Sequence, residues 1–139
     1  MKTERDKRSI SFFSRGYFLE NEGRIDEAIE AYEKSIEYID TEMRSTAAFT
    51  HLFRIYRDKG EIVKMRQILK DGIRYANYFN EKKANELIAI YPELRNGILD
   101  ALETNSPYPE DWQEKEIEPI FRPHDVMLMI DLLEDLGNE

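Results

Sequence analysis

Along the first half of the chain, apolar residues recur at the spacing of an α-helix. Phe12, Gly16 and Leu19 fall on one helical face, and Phe49 and Tyr56 do the same further on. Polar residues followed by glycine interrupt this pattern twice and mark helix ends. The pattern predicts helices near 8–21, 25–39, 43–58 and 62–78.

The same arrangement recurs after a shift of 37 residues along the chain. Residues of similar size then coincide: Phe12 with Phe49, Leu19 with Tyr56, Gly23 with Gly60, Ile25 with Ile62, Tyr32 with Leu69, Ser35 with Gly72 and Ile36 with Ile73. A repeat of this length is typical of stacked helical hairpins, each of which needs a neighbour to bury its apolar face.

Small residues stand where two helices of such a hairpin would meet. Gly16 and Ala28 allow close approach of the two helices, and larger residues fill the space beside them. Gly23 is expected to end the first helix with a positive φ, which costs glycine nothing.

These positions resemble the tetratricopeptide repeat family, with two repeats at about 9–42 and 46–79. The first repeat matches at Phe12, Gly16, Leu19, Gly23, Ala28, Tyr32 and Ser35, and the second at Phe49, Tyr56, Gly60, Leu69 and Gly72. The resemblance implies an all-α fold, a right-handed stack of antiparallel helical hairpins of the α-solenoid kind.

The second repeat departs from the family pattern at both narrow positions. Phe53 stands in place of the first glycine, and Met65 stands in place of the alanine. The spacing also exceeds the family's usual 34 residues, which places about three extra residues between the repeats. We therefore expect the second hairpin to be splayed or shifted.

The rest of the chain is predicted to complete one domain, 1–139, behind the two hairpins at 8–78. Asn80 is suited to an N-cap and Pro92 to the first turn of a helix, so we expect a third, degenerate hairpin at 80–104 with helices near 81–91 and 93–104. Four prolines mark 105–123 as a connector, anchored by Trp112.

A final helix is predicted at 124–137. It is too apolar to stand alone, so we expect it to cap the open end of the stack. Two alternatives stay open: it lies in the groove against Arg54 and Arg57, or it exchanges with a second copy to give a homodimer.

Composition excludes several classes of function. The chain has 139 residues, a net charge of −9 and no cysteine. The charge argues against binding to duplex nucleic acid and to anionic membranes. The lack of cysteine excludes disulfides, thiolate metal sites and a cysteine nucleophile. We find no long apolar run and a poor signal peptide, and therefore expect a cytoplasmic protein.

No arrangement of residues favours catalysis, a metal or a cofactor. His124 and Asp125 could form a base with its orienting group, but adjacent residues seldom face each other on a helix. The acidic residues near Trp112 fit a solvated connector better than an acid–base pair. We expect no enzyme activity.

The resemblance places a peptide-binding groove on the first helix of each hairpin. Its exposed positions would be Phe13, Tyr17, Glu20, Thr50, Arg54 and Arg57. Family members that grip a C-terminal carboxylate carry Lys and Asn where this chain has Phe13 and Tyr17, so that version of the site is not expected. The alternative is that Phe13 packs in the core and the arginines pair with Asp58, Glu61 or Glu20.

The predicted function is a non-catalytic scaffold or adaptor that binds a peptide segment of another protein. Two alternatives stay open. One is a small chaperone-like protein that holds a partner, and the other is an acidic regulator that masks a basic surface of its partner.

Overall fold

A computed structural model describes residues 2–41, 46–104 and 123–137. In this part of the chain all regular structure is helical, which confirms the all-α prediction. The helices are α1 (Glu4–Asn21), α2 (Ile25–Glu37), α3 (Ala47–Asp58), α4 (Ile62–Ile90), a single 3₁₀ turn (Pro92–Leu94), α5 (Arg95–Thr104) and α6 (Pro123–Asp135).

The helix ends agree with the sequence prediction to within a few residues, with one exception. The predicted helix end near residue 78 is wrong, because α4 continues through Asn80 to Ile90. Asn80 is therefore not an N-cap. The buried face of α4 runs through this point, with Ala76 and Phe79 before Asn80 and Ala84 after it. This apolar face continues the helix where the polar residue predicted a break.

The two predicted glycine turns are confirmed and have the same hydrogen bonds. Gly23 has a φ of 78° and Gly60 a φ of 71°. The amide of Arg24 donates to Leu19 O at 3.0 Å, and the amide of Glu61 donates to Tyr56 O at 2.9 Å. Each glycine amide in turn donates to the carbonyl three residues earlier. Both turns are Schellman motifs, 37 residues apart.

Helices α1 and α2 form an antiparallel hairpin in which two small residues, Ser9 and Ser35, bond each other's backbone. Ser9 Oγ donates to Ser35 O at 2.6 Å, and Ser35 Oγ donates to Ser9 O at 2.7 Å. This reciprocal pair requires the two backbones to lie close together. It satisfies the buried hydroxyl of Ser35 and the partly buried hydroxyl of Ser9 without a longer side chain.

Helix α2 is also antiparallel to α3. Lys59 Nζ at the end of α3 lies 2.9 Å from Asp26 Oδ1 at the start of α2, and Tyr56 Oη donates to Glu33 Oε1 at 3.1 Å. Helix α3 therefore packs on the first hairpin through α2.

Residue contacts divide the chain into two compact units, Met1–Asp71 and Gly72–Glu139. The second unit contains the end of α4, α5 and α6. A small core joins α4 to α5 around Ala84, Leu87 and Ile98.

Asn80 lies fully buried in the second unit. Neither polar atom of its side-chain amide has a hydrogen-bond partner in the described structure. Such a group lowers the stability of the unit in which it lies.

Several predicted features lie outside the described residues. These are the connector over 105–122, its Trp112, residues 42–45 before α3, and the side chains of His124 and Asp125. Of the described helices, none is both long and apolar enough to cross a membrane.

Asp6, near the start of α1, ties this helix to the segment that follows α2. It completes a capping box with Thr3, and its Oδ1 accepts from the amides of Asp40 and Thr41 at 3.1 Å each. Its Oδ2 accepts from the hydroxyl of Thr41. Burial alone would raise the pKa of Asp6, but these hydrogen bonds outweigh it and hold the pKa well below its ordinary value.

We expect Asp6→Asn to lower the free energy of unfolding by about 1–3 kcal/mol at pH 7, because an amide nitrogen cannot accept the bonds made to a carboxylate oxygen. The folded pKa lies below the unfolded value of about 3.9. The stabilisation is therefore complete above that pH and declines as the pH falls below it. The difference between wild type and variant should shrink accordingly.

Urea unfolding at pH 7 and in steps down to pH 3 measures this difference. Glu4→Gln, in the first turn of the same helix, is the matched control, because the Glu4 side chain is 83% exposed. It should change stability by less than about 0.5 kcal/mol. Equal effects of the two variants, or a pH-independent effect of Asp6→Asn, would contradict the assignment.

Candidate functional site

The carboxylate of Glu20, on α1, contacts polar side chains from α2 and α3. Tyr32 Oη of α2 donates to Glu20 Oε1 at 2.7 Å. From α3, His51 Nδ1 lies 2.9 Å from Oε1, and Arg54 Nη2 donates to Oε2 at 2.6 Å. We call these four residues the Glu20 network.

Local structure explains why these side chains meet. Glu20 lies in the last turn of α1, just before the Schellman turn at Gly23. His51 and Arg54 are three residues apart on α3 and thus share one face of that helix. Tyr32 lies on the buried face of α2 and is fully covered.

Tyr32 is fixed by its ring as well as by its hydroxyl. A Cβ atom on Gly16 would lie 2.7 Å from two atoms of the ring, so the ring occupies the space left by the missing side chain. A residue without a side chain is therefore needed at position 16, as predicted. The group that fills the space is the ring of Tyr32.

Aromatic rings surround the imidazole of His51. Its centroid lies 5.3 Å from that of Tyr32, 5.7 Å from that of Phe13 and 5.9 Å from that of Tyr17. Phe13 and Tyr17 meet it edge-on, which is a favourable geometry for aromatic pairs. Tyr17 remains 51% exposed, so the cluster reaches the surface.

The charges of the network stabilise one another. Burial alone would raise the pKa of Glu20, but hydrogen bonds from Tyr32, Arg54 and His51 hold it below its ordinary value. Burial, reinforced by the bond to Glu20, raises the pKa of Tyr32 far above its ordinary value. The bond to Glu20 also raises the pKa of Arg54. Glu20 is therefore ionised, and Tyr32 and Arg54 keep their protons.

The position of Glu20 also determines which nitrogen of the His51 ring carries a hydrogen. Nδ1 lies 2.9 Å from both Glu20 Oε1 and Arg54 Nη2. A carboxylate oxygen accepts hydrogen bonds, whereas a guanidinium nitrogen only donates them, so we assign a hydrogen to Nδ1 that points to Glu20. The His51 ring is thereby held edge-on to Phe13 and Tyr17.

The structure brings together four of the six residues predicted for the groove. Phe13, Tyr17, Glu20 and Arg54 meet in one cluster, and Glu20 lies at its centre, with a side chain 16% exposed. The alternative pairing of Arg54 with Glu20 is therefore the one observed.

The other two predicted groove residues make contacts of their own. Thr50 Oγ1 donates to Ala47 O of its own helix at 3.1 Å. Arg57 Nε lies 3.5 Å from Asp58 Oδ1, with its side chain 55% exposed. Neither contact involves the Glu20 network.

Sequence reasoning missed the roles of His51 and the Tyr32 hydroxyl. Tyr32 was assigned to packing alone, and His51 was given no role. Both residues sit among apolar neighbours, which favours a packing role. The available signal was the spacing of His51 and Arg54, which presents two nitrogen donors on one face of α3.

An open cavity of about 430 Å³ lies beside Glu20, at the ends of the helices. It is lined by Glu20, Gly23, Ile25, Asp26, Ile55, Asp58 and Lys59. The volume falls within the range of small-molecule sites, but the cavity is open and the ion pair of Lys59 with Asp26 lies in its wall. Among the described residues, no group of three His, Asp or Glu side chains is placed to hold a metal ion.

Comparisons of this chain with protein-family models, with curated proteins and with solved structures find no match.

We expect Gly16→Ala to lower the free energy of unfolding by about 1–2 kcal/mol. The added methyl group must displace the Tyr32 ring, at an overpacking cost of about 2–3 kcal/mol, while the gain in helix propensity is only about 1 kcal/mol. Thermal or urea unfolding monitored by circular dichroism measures the change.

Gly97→Ala is the matched control, because Gly97 is an exposed residue within α5. It should raise stability by up to about 1 kcal/mol. A Gly16→Ala variant that is as stable as wild type, or more so, would show that the Tyr32 ring is not confined by this contact.

Proposed function

We propose that this protein is a non-catalytic interaction module that binds a peptide segment of another protein along α1 and α3. One observation carries the proposal: the Glu20 network holds Arg54 and His51 in fixed positions beside the exposed ring of Tyr17. A surface ordered in advance loses less conformational entropy when it binds, which favours affinity.

The repeated turns support the same proposal. Helices α1 and α3 precede equivalent Schellman turns, and we take them as the first helices of two tetratricopeptide-like hairpins. In the family that the sequence resembles, these helices line the concave surface that receives peptides. A right-handed stack of this kind is part of the proposal.

The exposed groups indicate the chemistry of the peptide. Arg54 is 45% exposed and uses one of its terminal nitrogens on Glu20, so its other N–H groups can donate to an acidic side chain of the peptide. Tyr17 offers an aromatic face for an apolar side chain. We therefore expect the peptide to carry an acidic residue close to an aromatic or large aliphatic one.

The same chemistry favours binding over catalysis. Glu20 accepts hydrogen bonds from three side chains and has a lowered pKa, so it is a weak base. Tyr32 has a raised pKa and holds its proton, and Arg54 is paired. These groups position one another, and the residues left for a partner are Tyr17 and the free side of Arg54.

Selection from a library of random peptides of about 16 residues, displayed on phage, tests the proposal with the full chain as target. Selected peptides should be enriched in the acidic and aromatic pair described above. Their affinities are then measured by fluorescence anisotropy. We expect Arg54→Ala and Tyr17→Ser to weaken binding at least about tenfold, because each removes a central contact.

Arg57→Ala is the matched control, since it removes the same side chain from the same helix and should change affinity by less than about twofold. Circular dichroism establishes that all three variants are folded. If the selected peptides bind the Arg54 and Tyr17 variants as tightly as wild type, the proposed site is wrong.

A further inference from the structure

The net charge of the chain is confined to its second half. Residues 1–71 carry fourteen acidic and fourteen basic side chains, whereas residues 72–139 carry fifteen acidic and six basic ones. The first unit is therefore electrically neutral, and the second accounts for the entire charge of −9. An attraction for cations consequently belongs to the second unit.

Helix α6 presents an outward face that is apolar at one end and acidic at the other. Val126 and Met129 are buried on its inner side. Met127 is 46% exposed and Leu128 is 53% exposed. One and two turns further along the same face lie the exposed carboxylates Asp131, Glu134 and Asp135.

The acidic end of α6 conflicts with the electrostatics of the helix itself. The carbonyl end of a helix carries partial negative charge and favours basic residues, yet the last turn contains none. Within the described residues, Asp131, Glu134 and Asp135 have no ion-pair partner. A local cost that no contact among the described residues compensates is typical of a functional surface.

We propose that the outward face of α6 binds a basic amphipathic segment of a partner protein. Apolar side chains of the segment contact Met127 and Leu128, and its Lys or Arg side chains meet Asp131, Glu134 and Asp135. Methionine is flexible and polarizable, so it adapts to apolar side chains of different shape. An amphipathic helix of the partner, lying along α6, is the binding mode that fits.

Charge favours this occupant over a second copy of the chain. Two α6 faces packed in parallel would bring like charges into contact, and two packed antiparallel would bury the carboxylates of each against the apolar end of the other, so both arrangements are unfavourable. A cationic segment instead neutralises both the carboxylates and the helix end. The inference does not rest on the site around Glu20.

A labelled peptide of about 18 residues, with Leu on one helical face and Lys on the other, is a suitable probe. Fluorescence anisotropy with the full chain should show binding at about 50 mM salt that weakens at about 300 mM. We expect two variants to weaken binding at least about fivefold: the apolar pair Met127→Ser with Leu128→Ser, and the triple change Asp131→Asn, Glu134→Gln and Asp135→Asn.

The matched control neutralises three exposed carboxylates of the first unit: Glu22→Gln, Glu30→Gln and Glu37→Gln. This control, like Arg54→Ala, should change affinity by less than about twofold. The proposal is overturned if the probe does not bind, or if the control weakens binding as much as the α6 variants. It is also overturned if light scattering shows a wild-type dimer that the apolar pair converts to monomer, since a second copy would then be the occupant.

Discussion

The first unit depends on the confinement of one side chain, Tyr32. Its ring fills the space over Gly16, where a Cβ atom would lie 2.7 Å away, and its hydroxyl donates to Glu20. Packing of α1 against α2 is thereby linked to the position of Glu20, and through Glu20 to His51 and Arg54 on α3. A fully satisfied buried polar network specifies one arrangement, whereas a partly satisfied one is costly.

This linkage orders the proposed binding surface before a partner binds. Long side chains such as Arg54 usually sample many rotamers, and ordering them opposes binding. In this protein the partly buried carboxylate of Glu20 has already ordered Arg54, and the His51 ring contacts the exposed ring of Tyr17 edge-on. The second unit differs: its acidic side chains on α6 have no cation among the described residues, which directs attention to a basic partner.

The architecture was more predictable from sequence than the site. Gly23 and Gly60 were identified as turns because helix termination by a glycine of positive φ is a local property, visible in a few residues. The prediction of a helix start at Asn80 was wrong, because an apolar face that continues on both sides of Asn80 outweighs the preference of asparagine for the N-cap position. The sequence predicts Glu20 in an exposed groove, yet its side chain is only 16% exposed, because three donors from two neighbouring helices compensate its charge. Such compensation depends on contacts between helices that no single stretch of sequence encodes.

The central claim is that Tyr32 and Glu20 join the packing at Gly16 to the ordering of Arg54. A double-mutant cycle with Gly16→Ala and Arg54→Ala, measured by urea unfolding, tests it most directly. The two residues lie on different helices and are joined through Tyr32 and Glu20, so we expect a coupling free energy above about 0.5 kcal/mol. Changes in the free energy of unfolding that add to within about 0.5 kcal/mol would contradict the account.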